Sequence, residues 1–305
     1  MKNLNKIILG VAVALIATHT FAQGPNFRMN QFNSLLLNPA QAGANSYSDV
    51  SVLGISQWNA LPGAPRTAAF SGNFKLEDNF GIGAVVMQDE LGPVKSFNTA
   101  INAAYHLKLS RKWRLSLGLK GSVSNTTVAL QDLDIVEADP DMMSNLNSGI
   151  TYNGGFGVLL YSEKFYFGYS QPRVAEVTFQ DRDMEEFVDY KGGHLAYIGT
   201  DLPMGSTWKW RPNMVARYIP TLPLVLDINS IFTAKGGLDL GVSYQLNSSV
   251  GAMIGYEIKK TFYVGYSYSF PLSQLSTATN QTHEVGLRYM FNKSRSSYQG
   301  PRFFN

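Results

Sequence analysis

Apolar and polar residues alternate with period two through most of this chain. Phe97, Thr99, Ile101, Ala103, Tyr105, Leu107 and Leu109 share one face, opposite Asn98, Ala100, Asn102, Ala104, His106, Lys108 and Ser110. The pattern recurs with Trp113, Leu115, Leu117, Leu119 and Val123, with Leu238 to Leu246, and with Phe262 to Phe270. Side chains that switch face at every residue predict β-strands. Soluble sandwiches alternate too, but three features favour a membrane barrel. Many segments reach the ~10 residues of a tilted membrane strand. Aromatic residues recur near strand ends, as in the girdles of outer-membrane barrels. The polar faces carry Gly, Ser and Asn, which suits a wet or crowded lumen.

Counting such segments predicts about 14 strands, an even number as barrels of this class require. Their cores fall near 49–58, 66–75, 79–88, 96–109, 112–124, 149–161, 164–171, 193–201, 207–218, 224–233, 237–246, 249–257, 262–270 and 283–291. With the N-terminus in the periplasm, every even-to-odd connection is a short periplasmic turn. The long connections, 125–148, 172–192 and 271–282, all fall on the other side. The fold class is therefore all-β: a transmembrane antiparallel outer-membrane barrel.

The first 22 residues read as a secretory signal peptide. Lys2 and Lys6 precede the apolar stretch Ile7 to Ala17, and Thr20-Phe21-Ala22 offers a cleavage site near Ala22. Sec-dependent export to the outer membrane follows. Removing both lysines leaves 23 basic residues against 22 acidic ones, so no charge excess points to nucleic acid. There is no cysteine, hence no disulfide, thiolate metal site or lipoprotein anchor. Residues 23–48 do not read as a strand. Phe32, Leu35, Leu36 and Leu37 are apolar, and Asn38-Pro39 ends the run. A lumen plug, a periplasmic arm and a disordered leader are the alternatives. Residues 292–305 form a periplasmic tail.

Catalytic and cofactor chemistry is not indicated. The four histidines, His19, His106, His194 and His283, have no metal-site spacing. His106 has no nucleophile or carboxylate identifiable beside it. Gly81-Ile82-Gly83 lacks the following helix of a dinucleotide site, and reads as close packing in the wall. Eleven of the 22 acidic residues sit in the two longest loops, at Asp132, Asp134, Glu137, Asp139, Asp141, Glu176, Asp181, Asp183, Glu185, Glu186 and Asp189. They are either solvated loops or a surface for lipopolysaccharide or a charged partner. In the last strand, Glu284, Gly286, Tyr289 and Phe291 resemble the signal read by the barrel-assembly machinery.

Several stretches together resemble the PorP/SprF family. Asn38-Pro39-Ala40-Gln41-Ala42-Gly43 is similar to its Asn-Pro-Ala-x-Ala-Gly segment. Gln57-Trp58, then Pro62-Gly63-Ala64-Pro65 and Thr67, is similar to its Gln-Trp and Pro-Gly-Ala-Pro pairing. Phe156 to Pro172 resembles its central hairpin, and His283 to Phe291 its closing strand. Ser56 stands where other members often carry Arg. The resemblance implies an outer-membrane component of the type IX secretion system of Bacteroidota, which assists secretion and surface anchoring of cargo, including gliding adhesins. It implies contacts with the translocon and periplasmic components and with a cargo C-terminal domain, beside outer-membrane lipid and lipopolysaccharide. Asn38, Pro39, Ala42, Gly43, Gln57, Trp58, Pro62, Gly63, Ala64 and Pro65 become candidate partner-binding positions. Read from the residues alone, Pro62 to Pro65 is either a preorganised contact loop or a stiff hairpin turn, and Trp58 suits an interfacial girdle. Two other functional classes stay open: a channel for a small solute, and a periplasmic β-sandwich.

Overall fold

The computed structural model describes residues 27–32, 34–58, 61, 63–129, 145–174, 177–178, 189–190, 192–220, 222–272 and 281–292. The expected signal peptide, the C-terminal tail beyond Asn292, Pro62 and all the acidic loop residues except Asp189 lie outside them.

Fourteen strands make the wall. They are β1 (Ser48–Gln57), β2 (Arg66–Lys75), β3 (Phe80–Leu91), β4 (Val94–Lys108), β5 (Arg114–Val128), β6 (Thr151–Tyr161), β7 (Phe165–Gln171), β8 (His194–Thr200), β9 (Trp208–Tyr218), β10 (Val225–Ala234), β11 (Leu238–Gln245), β12 (Ser249–Ile258), β13 (Phe262–Pro271) and β14 (Thr282–Phe291). Each pairs antiparallel with its neighbour in sequence. β14 pairs with β1 from Thr282↔Gln57 to Phe291↔Ser48, which closes the sheet and leaves the barrel without a free edge. One rim, called near here, holds the start of β1 and the end of β14. All the long connections lie at the opposite, far rim, as the alternation predicts.

β4 and β5 run further toward the far rim than their apolar stripes suggest. Val94 to Phe97 pairs with Asn125 to Val128, so a polar stretch is held in the ladder by its partner's backbone. At the near rim, Leu202–Met204 pairs with Trp208 to Trp210, and Asp201 interrupts the line from β8.

Strand parity separates the two faces. On β4, Phe97, Ile101, Tyr105 and Leu107 are exposed to the outside, whereas Asn98, Ala100, Asn102, Ala104 and His106 are buried inside. Ile101 is 67% exposed and Asn102 is 0%. Leu117, Leu119 and Val123 on β5 and Leu240, Val242 and Tyr244 on β11 continue the outer apolar band. Outward aromatics mark both of its borders: Phe80, Tyr105, Trp208, Phe262 and Tyr289 at the near rim, and Phe97, Tyr152, Tyr218, Tyr244 and Phe270 at the far rim. An apolar band between two such girdles is what lipid requires of a barrel's exterior.

Candidate functional site

Residues 27–32 and 34–47 lie inside the wall as a chain of short turns. Asn30–Phe32 and Pro39–Gln41 are 3-10 turns, and Ser34–Leu37 is a single helical turn. Nearly every described residue here is buried. Pro39 opens the second turn because its missing N–H costs nothing at that position. Asn38 caps it, its Oδ1 accepting from Ala40 N at 2.8 Å.

A segment this short leaves many backbone groups without internal partners, and buried ones must be satisfied elsewhere. Inward polar residues of the wall supply them. Ser51 on β1 donates to Phe32 O (2.8 Å), and Ser116 on β5 donates to Ala40 O (2.7 Å). Asn73 on β2 accepts from Gly43 N (2.7 Å) and donates to Gln41 O (3.3 Å). His106 on β4 meets Ala42 O through Nε2 (2.8 Å), while its Nδ1 faces the Tyr161 hydroxyl at 3.0 Å. Asn38 reverses the traffic, donating from Nδ2 to Val158 O (3.0 Å) and Tyr169 O (3.2 Å). Gln41 donates to the Tyr197 hydroxyl on β8 at 2.7 Å.

The apolar side chains of the segment find their own seat. Phe27, Met29 and Phe32 pack with Leu53 and Ile55 of β1 and with Ile231, Met253, Tyr263 and Met290. This stretch of lumen is therefore apolar, unlike the inward faces of β4 and β11. Wall glycines admit the close approach. A Cβ on Gly286 would sit 2.5 Å from the Phe32 ring, and one on Gly157 would sit 2.0 Å from Asn38 Oδ1.

Toward the far rim the segment is held by charge. The Glu284 carboxylate accepts from the backbone N–H of Arg28 (2.7 Å) and of Met29 (2.9 Å). The Arg28 guanidinium reaches Ser249 and Gln245 and lies 3.8 Å from Asp227. Asp227 also pairs with Arg217. Burial lowers the Arg28 pKa, with Asp227 and Glu284 opposing, and a guanidinium so placed remains a cation.

The family model for the type IX secretion system membrane protein PorP/SprF matches residues 20–289. The chain belongs to the PorP/SprF family. No curated protein matches it. Among solved structures, the Ralstonia pickettii toluene transporter TbuX is similar with a TM-score of 0.53 at 11% identity, over 86% of this chain and 94% of that one. The Pseudomonas putida toluene transporter TodX has a TM-score of 0.49 at 11% identity, over 90% and 100%. A KdgM porin has 0.39 at 10%, over 80% and 99%. At such identities the likeness to TbuX shows the fold alone: an outer-membrane β-barrel.

The family motifs of this PorP/SprF barrel divide into three places. Asn38, Pro39, Ala42 and Gly43 are all inside, and Gly43, at φ +68, lies so close to β3 that a Cβ would meet Gly81 Cα at 2.5 Å. Gln57 ends β1 at the far rim and Trp58 follows it, and Gln57 N donates to Pro65 O at 2.9 Å. Gly63, at φ +70, accepts through its carbonyl from Gly92 N of the next far-rim turn at 2.8 Å, and Ala64 N donates to Leu61 O. A left-handed residue between two strands is a position for Gly. The closing-strand residues split by face: Glu284 and Gly286 point inward to Arg28, Met29 and Phe32, while Tyr289 points outward to Phe262, 5.0 Å away, and Phe291 stacks on Tyr289. The wall partners Ser51, Asn73, Ser116 and Tyr197 are not signalled by the sequence beyond their inward parity. No cluster of metal-ligating side chains occurs among the described residues.

Proposed function

We propose that this PorP/SprF barrel works as a plugged binding and anchoring component of type IX secretion, assisting export and surface attachment of cargo proteins. The observation that carries this reading is the chain's own segment seated in the lumen. Residues 27–47 take up hydrogen bonds from strands on every side, from Ser51 of β1 to Glu284 of β14. A wall built to hold its own chain suits a protein-binding adaptor better than an open conduit. On this reading residues 23–48 are a plug rather than a periplasmic arm, the near rim faces the periplasm, and the far rim faces the cell exterior. The turn from Gln57 and Trp58 to Gly63, Ala64 and Pro65 is then presented outward, where a cargo C-terminal domain or a translocon subunit can meet it. Removal of residues 1–22 and assembly through Glu284, Gly286, Tyr289 and Phe291 complete the proposal.

A clean deletion in the source organism tests it, with complementation and mass spectrometry of surface and medium. Loss of proteins bearing type IX C-terminal domains is the expected result. An unchanged secretome with reduced uptake of a small solute would replace this reading with that of a channel.

A further inference from the structure

The segment inside the barrel does not fill it everywhere. At the near rim, between the inner ends of β9, β10 and β12, a cavity of about 550 Å³ remains. That lies within the range of ligand sites. Its lining is one-sided in charge. Lys209, Arg211, Lys235, Lys259 and Lys260 contribute cations, against the carboxylate of Glu257 in the lining and that of Asp201 behind Arg211. Arg211 is the deepest of them, 4% exposed, with Asp201 3.7 Å from its Nε. Its Nε and Nη1 have no hydrogen-bond partner among the described residues, and neither does the buried hydroxyl of Thr233, which lies opposite Lys209 in the ladder. Buried polar atoms are nearly always satisfied, and a guanidinium edge is shaped for a carboxylate or phosphate.

We propose that this cavity is an anion-receiving site that takes an acidic peptide segment entering from the near rim. The spread of the cations along β9 and the rim argues for a peptide over a lipid headgroup. Lys209 and Arg211 share the inward parity of β9, Lys209 exposed at the rim and Arg211 buried, and Trp208 borders the cavity from the outer face. Gly205, Gly236 and Lys259, in three near-rim turns, all line the cavity, which leaves it open to a chain from the aqueous side. The cations are also spread in depth. About 7 Å of strand separates Lys209 from Arg211, with Lys259 and Lys260 further out on the rim. That spacing suits successive carboxylates better than one compact phosphate. The site is independent of the secretion reading, because it requires only the barrel and its near rim.

The test uses the full chain in detergent and a fluorescein-labelled pentaglutamate peptide, followed by anisotropy, with pentalysine as the control. Pentaglutamate binds and pentalysine does not, and the affinity falls as salt rises. Arg211→Gln weakens binding by about tenfold or more, as loss of a charge-assisted contact implies. The double variant Lys209→Gln with Lys235→Gln weakens it similarly. Lys112→Gln, on the other side of the near rim, leaves it unchanged. Heat-modifiable migration verifies each fold, and if Arg211→Gln fails to assemble the lysine pair decides. Equal binding by all variants overturns the proposal, as does absence of binding, which makes the cavity a water pocket. Inorganic phosphate or phosphatidylglycerol vesicles binding where the peptide does not would also overturn it, in favour of a phosphate or lipid site.

Discussion

Glu284 and Arg28 are 256 residues apart, yet the carboxylate of one accepts the backbone N–H of the other at 2.7 Å. The same carboxylate takes Met29 N at 2.9 Å, so the closing strand of the barrel grips the start of the segment inside it. Glu284→Ala orphans two buried N–H groups, at a cost of roughly 1–3 kcal/mol each. That cost falls on the inner segment, since the β14 ladder is made by backbone. Single-channel recording in planar bilayers therefore shows rare openings for the parent and frequent ones for Glu284→Ala, both barrels remaining heat-modifiable. Glu284→Gln, which keeps one acceptor oxygen, falls between them.

Gly157 offers a steric route to the same end. A side chain there collides with Asn38, so Gly157→Val lifts the middle of the segment from the wall. The chain has no cysteine, which makes Ala44→Cys a clean reporter at a buried site. Maleimide labelling of Ala44→Cys is slow alone and fast when combined with Gly157→Val.

Asn38 serves as a cap and as a double donor. Asn38→Ala loses the cap, worth ~1 kcal/mol, and leaves Val158 O and Tyr169 O short of a donor. Asn38→Asp keeps the cap acceptor but sets a charge against those two carbonyls. Limited proteolysis of the inner segment ranks the parent most resistant, then Asn38→Ala, then Asn38→Asp.

The lipid face is tested at Ile101. Ile101→Arg places a cation in the apolar band, at roughly 2–4 kcal/mol near the bilayer midplane. Urea titration in lipid vesicles reads that loss, and Ile101→Leu shows none of it.

The near-rim turn after β2 provides a pH-dependent case. Lys75 Nζ lies 3.0 Å from Asp78 and holds that carboxyl below its usual range. A lowered native pKa stabilises the fold above the ordinary carboxylate pKa, and that gain is lost as pH falls through the lowered value. Asp78 is exposed, so solvent screening keeps the effect under about 0.5 kcal/mol. Asp78→Asn therefore costs a small amount of stability at neutral pH, and the difference from the parent disappears in strong acid.

All fourteen strands were legible in advance, because a membrane barrel must alternate and lipid enforces one face throughout. Their ends were less so. Asn125 to Thr127 look like loop until β4 pairs with them. The expectation that Gly81 and Gly83 pack closely in the wall matches their place against Gly43 and Leu35. The inner segment announced itself only as residues that are not a strand, with Leu35, Leu36 and Leu37 too apolar for a solvated leader.

The sequence by itself determined the wall, its two faces and the side on which long loops lie, since these depend on local alternation and on distances along the chain. The tertiary structure decided what the polar face is for. Ser51, Asn73, His106, Ser116 and Glu284 are ordinary inward residues by parity, and only closure of β14 on β1 brings them around one buried backbone that needs their hydrogen bonds. Closure also gives Glu284 and Gly286 a second role beside that of the closing strand, and leaves Arg211 facing space that residues 27–47 do not reach.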